Sequence, residues 1–123
     1  MVEVTETIIQ NEKSRMKENK EFEEFWKKFT RTLTEEHTIR NWTVDKGYLG
    51  KGDFVAKSKA SGYIECDSPE AEMIQKVPKQ DLKMMYEYWN SYINGNMGRA
   101  DLRDKSRFTK YTISIIHQYE ELM

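Results

Sequence analysis

Residues 41–66, "NWTVDKGYLGKGDFVAKSKASGYIEC", decide the fold class. On either side of this stretch apolar residues recur at helical spacing; inside it they do not. Four of the chain's six glycines lie here, at Gly47, Gly50, Gly52 and Gly62. "DFVAKSK" and "GYIEC" flank "ASG", which is the pattern of a β-hairpin. "NWTV" predicts a further strand. "EAEMIQKV" predicts another, because it follows Ser68-Pro69, a natural turn start. The stretch therefore predicts a small antiparallel sheet of about three strands within residues 42–77.

The flanks predict helices. Phe22, Phe25, Trp26, Phe29 and Leu33 stand on one helical face, and Glu23–Lys27 and Glu24–Lys28 pair one turn apart on the other. Residues 1–18 form a thinner stripe through Ile8, Ile9 and Met16. They read as a helix continuous with the next one or as a separate, mobile arm. Downstream, Leu82, Met85, Trp89, Tyr92 and Ile93 share a face, Pro78 suits the helix start, and Asn94-Gly95 suits its stop. A short helix near 99–105, a break around Ser106 and a last helix from about Thr109 follow. Tyr111, Ile115, Tyr119 and Leu122 supply the last helix with its buried stripe. Helices and strands are segregated along the chain, so the expected fold is α+β, one domain over 1–123 with a C-terminal three-helix unit.

Composition bounds the function. The 123 residues suit one domain, and the formal charge of −1 argues against a general polyanion binder. The single cysteine, Cys66, allows no internal disulfide and points to a reducing, cytoplasmic setting. The N-terminus lacks the basic start and apolar run of a signal peptide, and no segment has the apolar length of a membrane span. No membrane partner is expected.

Catalytic, metal and cofactor motifs fall away one by one. In "GYLGKGDF", Asp53 follows Lys51-Gly52 where a phosphate loop needs Ser or Thr opening a helix, so the segment predicts a hairpin loop. Asp53, Glu65, Asp67, Glu70 and Glu72 could hold a nuclease metal, but Asp67 stands where such a site needs a lysine. His37 and His117 have no metal-ligand neighbours at suitable spacing, and Cys66 has no histidine base near it in sequence. No catalytic residue, metal or cofactor is expected.

The closing stretch "GRADLRDKSRFTKYTISIIHQYEELM", Gly98–Met123, carries the leading functional expectation. Between Arg99 and Lys110 five basic residues face only Asp101 and Asp104, a local charge of +3. Leu102, Phe108, Ile113 and Ile116 can take the inward positions of a helix-turn-helix, whose second helix lies in the major groove. Arg99, Arg103, Lys105, Arg107, Thr109 and Lys110 would then contact nucleic acid, the cations mostly through phosphates. Arg103 and Arg107 depart from that pattern, standing where a small residue and a glycine are usual. The alternative is a protein-interaction module that forms a homodimer or docks on a larger partner through its N-terminal amphipathic helices. A third expectation is a pocket between sheet and helices lined by Trp42, Tyr48 and Tyr63, with Tyr88 as a further exposed ring.

Overall fold

The computed structural model describes residues 19–59, 62–69 and 71–123. Helix α1 covers 19–32. Strands β1 (His37–Ile39), β2 (Trp42–Thr43), β3 (Gly47–Tyr48), β4 (Phe54–Lys59), β5 (Tyr63–Asp67) and β6 (Gln75–Pro78) follow, then helices α2 (Lys79–Ile93), α3 (Arg99–Arg103) and α4 (Thr109–Gln118). The fold is α+β. One antiparallel sheet has the order β1-β4-β5-β6, and β2-β3 form a separate two-stranded ribbon.

Strand alternation sorts the sheet into two faces. Ile39, Phe54, Ala56, Ile64, Cys66 and Val77 are buried. They sit opposite one another as Ile39↔Phe54, Ala56↔Cys66 and Ile64↔Val77. Lys57, Glu65 and Lys76 are aligned across the outer face, where Lys59 also meets Glu65 at 3.1 Å. Burial pushes the Cys66 thiol up to about 12, so it stays protonated and is no nucleophile at neutral pH.

The Phe-rich helix turns most of its apolar face inward, with Trp26 partly buried at the margin. Phe22, Phe25, Phe29 and Leu33 are at most 1% exposed. Phe25 stacks on Phe29 at 5.6 Å, Phe22 meets Tyr86 edge-on at 5.4 Å, and Phe29 meets Tyr119 edge-on at 5.2 Å. The Phe22, Phe25, Phe29 and Leu33 side chains are thus packed inside their own chain. The thin stripe of residues 4–16 lies outside the described residues. The carbonyls that α1 leaves free at its end are met by β4: Ser58 donates its N–H to Leu33 O at 3.0 Å and its hydroxyl to Thr30 O at 3.0 Å.

Two boundaries and the burial of one residue differ from the sequence expectation. Residues 37–39, placed near the end of α1 by their pattern, form β1, the fourth strand of the sheet. The strand expected over "EAEMIQKV" shrinks to β6, and Met73 and Ile74 precede it, exposed. Ile93 is also exposed, because α2 ends there. Its stop is a Schellman turn: Asn96 N–H reaches Ser91 O at 2.9 Å and Gly95 N–H reaches Tyr92 O at 3.2 Å. Gly95 supplies the left-handed φ of 79° that the turn requires.

Helix α4 lies at the centre. Thr109 and every residue from Tyr111 to Ile116 are buried. It packs against α2 on one side and against β1 and β2 on another. A helix enclosed in this way is apolar or small nearly all round, and no charged residue occurs from Tyr111 to Ile116. Its polar side chains bind backbone. Ser114 Oγ accepts the Trp42 N–H at 3.0 Å and faces Trp42 O at 3.5 Å. One turn on, Gln118 Oε1 accepts the Arg40 N–H at 2.9 Å, and its Nε2 donates to Thr38 O at 3.0 Å. Residues 38, 40 and 42 thus find in α4 the partners a neighbouring strand would supply. Ser114→Ala leaves the Trp42 N–H unpaired and is expected to cost about 1–3 kcal/mol in urea unfolding. A loss below about 0.5 kcal/mol, the range of a neutral surface change, would show that this staple contributes nothing.

Candidate functional site

Two regions carry the expected site residues, and they are built by different elements. The first is a cationic edge on α3 and the turn after it. Gly98 donates its N–H to Asp101 Oδ2 at 2.9 Å and so caps the start of α3. Ser106 ends the turn: its hydroxyl donates to Asp81 Oδ2 at 2.6 Å and accepts the Phe108 N–H at 3.0 Å. Between these anchors Arg103, Lys105 and Arg107 are exposed. None of them is in an ion pair with a described residue. Lys105 Nζ stands 5.1 Å over the half-exposed Tyr88 ring, and the Arg107 guanidinium lies 4.7 Å over Phe108.

The other three expected contacts fare differently. Arg99 is half-buried beside Arg103 and Tyr92; burial and then the Arg103 charge pull its pKa below the usual arginine value. Its Nε is buried without a hydrogen-bond partner. Lys110 is half-buried and donates to Ser68 Oγ at 3.2 Å. Thr109 is only 3% exposed and faces the core. The helix-turn-helix expectation is corrected on this point. A recognition helix must present its first turns to a groove, whereas in α4 Thr109 and Tyr111–Ile116 are buried and Lys110 is half-buried.

The second region is a cleft of about 630 Å³ between the β2-β3 ribbon and the end of α4, lined by Thr38, Arg40, Trp42, Tyr48, Asp53, His117 and Gln118. Antiparallel pairing sets Trp42 directly opposite Tyr48, so both rings stand on one face of the ribbon. Arg40, two residues before Trp42, holds its guanidinium 5.1 Å over the Tyr48 ring. Tyr48 donates its hydroxyl to Asp53 Oδ2 at 3.1 Å, while Asp53 Oδ1 accepts the Asn41 N–H at 3.1 Å. Donation to Asp53 raises the Tyr48 pKa, with Arg40 opposing, so the phenol keeps its proton. His117 lies flat against Trp42, ring centroids 3.8 Å apart and planes at 7°.

Trp42 and Tyr48 both line this cleft, and the other two aromatics are elsewhere. Tyr63 is on β5 beneath Lys76, and Tyr88 belongs to the cationic edge. His117, Arg40 and Asp53 were not singled out as pocket residues by the sequence. Only the parity of Arg40 with Trp42 could have pointed to one of them. Among the described residues no group of three His, Cys, Asp or Glu could hold a metal ion, and no helix is long and apolar enough to cross a membrane. No protein-family model matches the chain, and neither a curated protein nor a solved structure resembles it significantly.

Burial lowers the His117 pKa from its ordinary value of 6.5, with Glu120 opposing. The unfolded chain thus holds this proton more tightly than the folded one. The stability contributed by neutral His117 is complete above the unfolded pKa and is lost as pH falls toward the folded value. On acidification from neutral pH, His117→Gln is expected to lose urea midpoint less steeply than the parent chain. Parallel pH profiles would remove His117 from the acid response.

Proposed function

We propose that the protein is a binding module that contacts the phosphate backbone of a nucleic acid through Arg103, Lys105 and Arg107. One observation carries the proposal: these three cations are exposed together on a short helix and turn, and none of them is in an ion pair with a described carboxylate. Arginine forks suit phosphate oxygens, and Tyr88 beneath Lys105 offers a ring on which an unpaired base can stack. Asp81 and Asp101 are engaged by Ser106 and by the Gly98 N–H, while Asp104 stands exposed between Arg103 and Lys105 in sequence. The contact uses the edge of α3, with Arg99 and Lys110 held to the sides and Thr109 excluded by burial.

The overall charge of −1 keeps this contact small. With about three phosphates neutralised, log affinity should fall with log salt at a slope of about −2 to −3. Fluorescence anisotropy with labelled single-stranded and duplex oligonucleotides in low salt measures this directly. Each of Arg103→Ala, Lys105→Ala and Arg107→Ala should weaken binding and reduce the slope by about 1. Absence of binding to every DNA and RNA strand in low salt would refute the proposal, as would a triple variant that binds like the parent chain.

A further inference from the structure

The cleft on the β2-β3 ribbon shares no residue with the cationic edge, and what it could hold follows from its own chemistry. It presents three kinds of group side by side. Trp42 and Tyr48 offer aromatic surface from paired positions of the ribbon, and His117, which also lines the cleft, stacks on the indole. Arg40 offers a guanidinium that forms no ion pair with a described residue. Asp53 offers a carboxylate whose oxygens each accept a single hydrogen bond, from the Asn41 N–H and the Tyr48 hydroxyl. Each oxygen of an ionised carboxylate has two lone pairs, so one remains on each for a further donor.

The cation and the anion are kept apart. Arg40 lies over the face of Tyr48, Asp53 lies at its hydroxyl, and the two make no ion pair. A matching ligand must therefore carry an anionic group and a hydrogen-bond donor at separate ends, with a flat ring to cover the aromatics. An α-amino acid without a polar ring fails this requirement, because its ammonium and carboxylate share one carbon. A simple aromatic carboxylate fails it too, because it brings Asp53 no donor. The geometry points to a nucleoside monophosphate whose base carries an exocyclic amino group, with phosphate on Arg40, base against Trp42 and Tyr48, and amino edge toward Asp53. The cleft volume of about 630 Å³ lies within the range of small-ligand sites. This site does not rest on the cationic edge; it would serve a free nucleotide.

The full chain is titrated with AMP, CMP, GMP and UMP, followed by tryptophan fluorescence, which Trp42 reports, and by calorimetry. Saturable binding is expected in the micromolar to millimolar range, with the amino-bearing AMP, CMP and GMP tighter than UMP. Arg40→Met should weaken AMP by about tenfold or more and leave adenosine, which lacks the phosphate, unchanged. Asp53→Asn should erase the preference over UMP. Because Asp53 also holds the Asn41 N–H, Tyr48→Ala at a half-exposed position is the second variant, and it should weaken all four nucleotides. The combined Arg103→Ala, Lys105→Ala and Arg107→Ala variant should keep its AMP affinity. No saturation at millimolar AMP, CMP, GMP or UMP would overturn the assignment. So would AMP binding indifferent to Arg40→Met and Tyr48→Ala, benzoate or tyrosine binding as tightly as AMP, or loss of AMP binding in the triple variant.

Discussion

The fold depends on burying α4 on nearly every side while leaving no backbone group near it unpaired. Burial alone is easily met, since Tyr111–Ile116 offers only aromatic, β-branched and small residues. Pairing is harder, because β1 is an edge strand and β2 belongs to another sheet. Ser114 and Gln118, one turn apart, meet the backbone of residues 38, 40 and 42 along one line. A helix face thus does the work of a strand. An alanine at position 114 leaves the part-buried Trp42 N–H empty, which costs more than the hydrogen bond itself contributes, whereas the groups that Gln118 meets are exposed and can turn to water.

The same constraint places the cleft. Because Gln118 must reach Thr38 and Arg40, the last turn of α4 is brought against the β2 backbone, and His117 is carried beside Trp42. Tyr92 secures the ribbon from the other side, its hydroxyl accepting the Val44 N–H at 2.9 Å. The ribbon is short, but its two rings are held by pairing, by the His117 stack and by the Trp42–Trp89 contact at 6.0 Å. The aromatic floor is therefore rigid, while the Arg40 side chain at its rim is exposed.

Much of the architecture was legible in residue spacing. The face of Phe22, Phe25, Phe29 and Leu33 follows helical periodicity without exception, and the hairpin of β4 and β5 follows from alternation around Gly62. β1 was not legible, because "HTI" is too short to show a period and follows directly on a strong helical segment. Its strand character comes from the pairing Ile39↔Phe54, a contact between distant residues. The cleft was half legible. Trp42 and Tyr48 stood out as aromatics in a β-region, but His117 comes from a helix 75 positions further along. Local pattern carries no trace of that stack. Tyr63 misled for the same reason: alternation shows that it is on a strand, not which neighbour it meets.

The last helix shows how one pattern supports two opposite readings. A polar start with Arg107, Thr109 and Lys110 before an apolar run looks like a recognition helix with its core behind it. The deciding feature is the width of the apolar arc. A groove-binding helix keeps a polar strip along its length, whereas Tyr111–Ile116 has no charged residue in almost two turns. Such a helix cannot be exposed on any side without showing water an apolar face, so the fold encloses it. The cations before it are then displaced to α3 and its turn, where a five-residue helix offers an edge and not a reading head. Phosphate contact is compatible with that geometry; insertion of α4 into a groove is not.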